Sequence, residues 1–267
     1  MRKAGLLLSA ILILAVAGSA QTVDEIIAKN IAARGGLAKL RGVQTVRITG
    51  SADFGGMQAE LVIVEKRANK TRMEISLQGM TMVRAYDGQN GWQVVPFTGK
   101  KDPEPMTADD LKGAAQEADI DGALVDYKEK GHKVELIGKE KIEGTDAYHL
   151  KITMKSGDIR DEYLDADSFL DIKTTFKTTR RGAEVVQNTT LGDYKEVDGM
   201  MLPFSMDVRA EGAPGPGQKI TIQKVEFNTP VDDSQFRMPV IAAAPAEKPA
   251  GAPGKKADGP ANPPPQK

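Results

Sequence analysis

From Val43 to Asn228 apolar and polar residues alternate in short runs, and only two stretches of the chain carry the three-to-four spacing of a helix. The run KTRMEISLQ (70–78) gives the pattern. Met73, Ile75 and Leu77 point one way and Arg72, Glu74, Ser76 and Gln78 the other, because successive side chains of a strand alternate between faces. Tyr148, Leu150, Ile152 and Met154 oppose His149, Lys151, Thr153 and Lys155 in the same way. About a dozen such runs lie at 43–51, 57–67, 70–78, 80–86, 92–97, 133–142, 147–155, 159–165, 170–180, 183–197, 202–210 and 219–228. They follow one another across turn residues, which predicts an antiparallel meander. In the last run Ile220 and Ile222 alternate, whereas Val225 and Phe227 fall one residue out of step. A bulge near Gln223–Lys224 restores the register and bends the strand.

The helical stretches are few. Residues 22–36 open with a capping box, Thr22 with Glu25, and stop at Gly35-Gly36. Val23, Ile26, Ile27, Ile31 and Ala32 form one apolar stripe on that helix, and LAKL (37–40) adds a further turn. Residues 107–118 follow the Pro-rich KDPEPM and take Thr107 as their cap, with Leu111 the one large apolar side chain.

So much one-sided sheet needs cover, and two helices cannot roof it flat. A flat sheet would expose an apolar area that soluble monomers avoid. The expected fold is therefore α+β: a highly curved antiparallel β-sheet forming an unclosed barrel around a few helices, with an apolar hollow inside. The chain has eleven methionines. Such flexible side chains suit a surface that adapts to greasy ligands, and they equally fill an irregular core. The expected lining is Met73, Ile75, Leu77, Met80, Met82, Trp92, Phe204 and Met206. The helix from Thr22, the loop near Pro103–Pro105 and the weakly apolar 107–118 are candidate lid parts.

The same residues carry no catalytic signature. AYDGQNGWQVVPF (85–97) holds the one tryptophan, but Asp-Gly and Asn-Gly between alternating runs are hairpin signals. Asp87 is expected to bond local backbone, Gly88 and Gly91 to supply positive φ, and Trp92 to begin the next strand. His132 and His149, the two histidines, have no second histidine at i+2 or i+4 and read as surface residues. No G-x-S-x-G, H-E-x-x-H, P-loop or dinucleotide fingerprint occurs. DADSFLDI (165–172) and DIDGALVD (119–126) lack the glycine spacing of a calcium loop and read as turns. No enzyme, metal site or cofactor is expected.

The ends carry no core. Residues 1–20, with Arg2 and Lys3 before an apolar run and AGSA, have the layout of a cleaved secretory signal. Residues 240–267 are mostly Ala, Pro, Gly and Lys and are expected to be a disordered tail. One domain, 21–239, lies between them. There is no cysteine, which removes disulfides, thiolate sites and a lipid-modified N-terminus and fits a bacterial envelope protein. Lys and Arg number 36 against 37 Asp and Glu, with no basic run in the folded part, which argues against nucleic acid.

Several segments together resemble the LolA/LolB-like superfamily of outer-membrane lipoprotein-sorting proteins. They are VDEIIAKNIAARGGLAKLRGVQTVRITG, QGMTMVRAYDGQNGWQ, GTDAYHLKITMKSGDIRDEYLDADSFLDIK, GDYKEVDGMMLPFSM and VEFNTPVDDSQFRMP. The resemblance spans Val23 to Pro239. It implies an unclosed barrel with a helical lid over a hydrophobic cavity, and the holding of lipoprotein acyl chains or another lipid in the periplasm. Relatives of that fold also act as envelope-stress sensors that bind misassembled lipoproteins and regulate an anti-sigma factor. The Lys- and Pro-rich tail departs from the carrier pattern, the absence of cysteine departs from the anchored receptor branch, and no cargo-gating residue carries over. The expectation is a monomeric periplasmic carrier or chaperone without a membrane span in the mature chain. The alternative is a sensor or scaffold of the same fold that binds an envelope protein.

Overall fold

The computed structural model describes residues 21–180 and 182–240, so the expected secretory signal at 1–20 and nearly all of the expected tail at 240–267 lie outside the described residues. Helix α1 spans Val23–Ala33, α2 Leu37–Gly42 and α3 Ala108–Glu117. The first six strands are β1 (Thr45–Asp53), β2 (Gln58–Lys66), β3 (Lys70–Leu77), β4 (Met80–Tyr86), β5 (Gly91–Val95) and β6 (Lys100–Pro105). After α3 come β7 (Lys133–Ile142), β8 (Thr145–Thr153), β9 (Ile159–Asp165), β10 (Asp171–Arg180), β11 (Ala183–Val197), β12 (Met200–Ala210) and β13 (Gln218–Phe227).

All thirteen strands form one antiparallel sheet in the order β6-β5-β4-β3-β2-β1-β13-β12-β11-β10-β9-β8-β7. Each neighbour is next in sequence except at one seam, where β1 lies beside β13. Two meanders are thus stitched at their starting and finishing strands, and β6 and β7 remain as free edges. The sheet curls without closing.

Strand β6 was not expected. KDPEP read as a loop and a lid part because proline removes a ladder donor, yet an edge strand needs donors on one side only. Lys100 pairs with Val95, Glu104 with Gln93 and Pro105 with Trp92, so the segment is sheet. Pro96 ends β5 by starting a single 3-10 turn at Pro96–Thr98.

The bulge falls where the broken alternation put it. Thr49 pairs with Lys224 and Gly50 with Ile222, leaving Gln223 as the extra residue, so Ile222 and Val225 are both buried. At the same place β1 presses so closely on β13 that a Cβ on Gly50 would overlap the Thr221 carbonyl oxygen. Backbone cannot yield as a side chain can. Gly50→Ala is therefore expected to lower unfolding stability by about 1–3 kcal/mol, the range for overpacking, as measured by urea denaturation.

The helices plug the concave side. The capping box of α1 forms, with Thr22 Oγ1 accepting from Glu25 N–H and Glu25 accepting from Thr22 N–H. Ile26 and Ile27 pack on Tyr148, Leu150, Ile152 and Leu164 of β8 and β9, together with Ala123 and Leu124 from the α3–β7 connection. Buried Asn30 donates to the Phe169 carbonyl at 2.8 Å. Leu40 of α2 joins Val43, Val46, Val125, Met200, Phe204, Ile222 and Val225. With Ile26 and Asn30 fully buried, α1 is core. No described helix is long and apolar enough to cross a membrane.

The convex side has its own cover. After β13 the chain runs back across β2, β3 and β5 and ends in a 3-10 turn at Asp233–Phe236. Lys66 Nζ donates to the Val231 carbonyl at 2.8 Å, Arg72 to the Gln235 carbonyl at 2.9 Å and Trp92 Nε1 to the Phe236 carbonyl at 2.9 Å. Hydrogen bonds from Lys66 and Lys70 hold the Asp233 carboxyl down at about 2.

Candidate functional site

The inner face can be read from register, because directly paired residues share a face. Leu61 pairs with Ile75 and Ile75 with Met82; Ile63 pairs with Met73 and Met73 with Arg84. One row on, Glu65 pairs with Thr71 and Thr71 with Tyr86. Four adjoining cavities lie along this concave surface. An apolar trough of about 640 Å³ over β2–β4 is lined by Phe54, Leu61, Met73, Ile75, Leu77 and Met82 among others. It shares Glu117 and Gln187 with a central chamber of about 670 Å³.

Two annexes open from that chamber. An apolar one of about 200 Å³ beneath α2 shares Glu65 and Met206 with it and is walled by Leu40, Val46, Met200 and Ile222. A polar one of about 170 Å³ shares Arg160 and Thr174 with it and holds Arg34, Glu162, Asp171 and Tyr194. The hollow as a whole is greasy at its ends and polar in the middle.

Helix α3 roofs the chamber. Thr107 caps it as expected, accepting from Asp110 N–H. Toward β5, Met106 and Leu111 sit over Gly91, where a Cβ would come within 2.5 Å of Met106 Sδ and 2.9 Å of Leu111 Cδ2. Toward β9, Lys112 Nζ donates to Asp158 Oδ1 at 2.6 Å and Gln116 Nε2 to Asp158 Oδ2 at 2.8 Å. Burial pushes the Asp158 carboxyl up, but its bonds from Lys112, Ser156 and Gln116 outweigh that and hold it below the usual range. Gly113 and Ala114 of this helix are buried, so α3 is held by a small apolar contact on the β5 side and by polar tethers on the other.

The residues expected to line the hollow divide into four groups. Met73, Ile75, Leu77 and Met82 line the trough together, and Met206 lines the chamber and the apolar annex. Phe204 is packed into the core beneath α2. Met80, paired with Leu77 at the end of its strand, is 38% exposed. Trp92 belongs on the other side altogether. It pairs with Ala85, which pairs with Arg72 and so with Val64, the row that the C-terminal segment covers on the convex face. Its size suggested a lining residue, but the phase of β5 turns it outward.

In the 85–97 hairpin Asp87 Oδ1 accepts from Gln89 and Asn90 N–H, and Gly88 has φ 100°. Gly91, expected to supply positive φ, instead makes room for α3. His149 is more than a surface residue: only 16% exposed, it sits between Glu140 at 2.7 Å and Asp161 at 3.0 Å and stacks on Tyr163.

The interior also holds charged groups. Glu65 stands in phase with Leu61 and Ile63 in AELVIVEK, so the alternation that places those residues inside also places the carboxylate there. Burial, then repulsion from Glu117 and Asp119, raises it to about 7. Asp171 is raised to about 6 by burial and by Glu162, with Asn30 donating to it at 3.3 Å. Tyr194 is pushed above the usual tyrosine range, by burial first and Asp171 second.

Comparison with known proteins bears on fold. A protein-family model described as an uncharacterized protein matches residues 80–241. No curated protein matches the chain. Among solved structures, a LolA superfamily protein from Nitrosomonas europaea is 14% identical, with 82% of this chain and 98% of that one covered and a TM-score of 0.55. A DUF1329 family protein from Desulfovibrio piger is 13% identical over 80% and 97% of the two chains, with a TM-score of 0.54. A domain from Vibrio parahaemolyticus described as an outer membrane lipoprotein-sorting protein is 13% identical over 79% and 94%, with a TM-score of 0.52. The chain has the unclosed, LolA-like half-barrel fold that these three share.

Proposed function

We propose a carrier function on the premise that this chain belongs to the family of uncharacterized proteins whose model spans residues 80–241 and has the LolA-like fold. The protein is a lipid or lipoprotein carrier of the bacterial periplasm. It is exported by the leader at 1–20, folds as one domain over 21–239, and holds acyl chains in its hollow during transfer toward the outer membrane. The observation that carries this reading is the apolar trough of about 640 Å³, which shares Glu117 and Gln187 with the chamber below α3. A void of that size falls within the range of small-molecule sites. Burying an acyl chain gains about 0.8 kcal/mol per methylene, enough for firm binding after the entropic cost of association, with no covalent step.

The trough also supplies adaptability. Met82 pairs with Ile75 and Met73 lies in the next row of the same face, and unbranched thioether side chains can follow chains of different length and bend. The roof suits exchange because α3 carries one large apolar side chain, Leu111, and is otherwise tethered by polar bonds to Asp158, so it can open at modest cost.

Native mass spectrometry of protein purified from a bacterial envelope tests the reading. Adducts with lipid masses, released on organic extraction and restored by added fatty acid, are the expected result. Protein that emerges lipid-free and takes up no fatty acid would overturn the carrier role and favour a scaffold that binds an envelope protein.

A further inference from the structure

Among the described residues, Glu65 is the one carboxylate lining the hollow that has no hydrogen-bond or ion-pair partner. It lines both the central chamber and the apolar annex, so its residual exposure is to the hollow itself. Among the described residues nothing donates a hydrogen bond to it or pairs with it, and its charged neighbours, Glu117 and Asp119, are acidic. An ion in such a place is costly unless something arrives to pair with it.

The cations around the chamber are elsewhere engaged or at its rim. Lys130 donates to Asp119 Oδ2 at 2.5 Å and to the Gly122 carbonyl at 2.7 Å. Arg160 is held by Glu162 at 2.7 Å, and Arg34 gives both Nη atoms to the Asp121 carbonyl. Arg84 lies 3.8 Å from Glu117, and Arg180 ends its strand exposed beside Gly113 of α3. Burial and then Lys130 push His132 down, which keeps its ring neutral, and its Nδ1 accepts from Lys155 N–H. None of these groups compensates Glu65.

We infer that the hollow selects amphiphiles with a cationic, hydrogen-bond-donating head, an ammonium group seated on Glu65 with its tail in the apolar spaces that meet there. This rests on the carrier reading and names the class of cargo. The position fits, because the carboxylate stands one row from Met73 and Ile63 on one side and opens onto the Met206 annex on the other. The raised proton affinity of Glu65, to about 7, adds a consequence: the site gains its charge as pH rises through neutrality.

The test is isothermal titration of purified protein with chain-matched dodecylammonium and dodecanoate, at pH 6 and pH 8, below their micelle concentrations. At pH 8 dodecylammonium is expected to bind about tenfold tighter, a preference that shrinks at pH 6. Glu65→Gln should remove the preference while dodecanoate binding is kept or improved and the circular dichroism is unchanged. The isosteric amide also separates Glu65 from Asp171, which titrates in the polar annex. If the wild type prefers dodecanoate, or the Gln variant keeps the same preference, the head-group assignment is wrong and the carrier reading stands. If neither amphiphile binds, the carrier reading fails and takes the assignment with it.

Discussion

Met82→Glu is expected to abolish acyl-chain uptake while the protein stays folded. Met82 is paired with Ile75 on the inner face and borders the trough together with Met73 and Leu77. Its side chain is half-buried, packed on one flank against the Ala59, Leu61 and Ile75 cluster and bordering the trough on the other, so a carboxylate there can be solvated from the trough when it is empty. Once an acyl chain fills the trough, that solvation is lost. Stranding a charge against hydrocarbon costs several kcal/mol, and about 2.7 kcal/mol already amounts to a hundredfold loss of affinity. Arg84, two residues along on the same face, offsets part of that cost but is drawn toward Glu117. Uptake measured with a fluorescent fatty acid should fall at least a hundredfold, with Met82→Leu close to wild type. Undiminished uptake by the folded glutamate variant would show that the trough is not where the chain lies.

Trp92→Ala makes the opposite demand, a large loss of stability with binding intact. Trp92 is 5% exposed on the convex face, with the Arg72 guanidinium stacked 5.4 Å from its ring. Its Nε1–H satisfies the carbonyl of Phe236, itself fully buried. Truncating a buried tryptophan costs about 3–5 kcal/mol, which for a chain of this size lowers the melting temperature on the order of 10 °C. Trp92→Phe keeps most of the apolar contact and gives up the hydrogen bond, so it should cost about 1–3 kcal/mol. Thermal unfolding followed by circular dichroism reads both. Because the residue is on the far side of the sheet, fatty-acid affinity of either variant below its melting temperature should match wild type. Lost affinity without lost stability would return Trp92 to the lining.

These two residues mark how far the sequence could be read. Alternation placed Met73, Ile75, Leu77 and Met82 on one face because each sits in a long run whose phase is unambiguous. Trp92 is the second residue of a strand of five, too short for its phase to be read, and its bulk was a poor guide to its side. The bulge at Gln223 was visible because a slip in alternation is itself a local signal. Strand β6 was hidden by its prolines, whose tolerance depends on a long-range fact, that nothing pairs beyond it. The inward phase of Glu65 was present in AELVIVEK, but a glutamate next to Lys66 and Arg67 is ordinarily taken for solvent-facing charge. The annexes and the polar tether of α3 depend on side chains more than forty residues apart, such as Lys112 and Asp158, and local pattern has no access to those.

The seam between β1 and β13 has a kinetic consequence. Its partners, Thr45–Asp53 and Gln218–Phe227, stand at opposite ends of the folded region, so the earliest strand waits for the latest before either meander can be joined to the other. Closing so long a loop is slow, and until it happens β1 offers an unpaired ladder along one side. Each arm can zip from its own hairpins, but the concavity exists only after the final strand has docked, so a nascent or truncated chain would be sticky and unable to hold a guest.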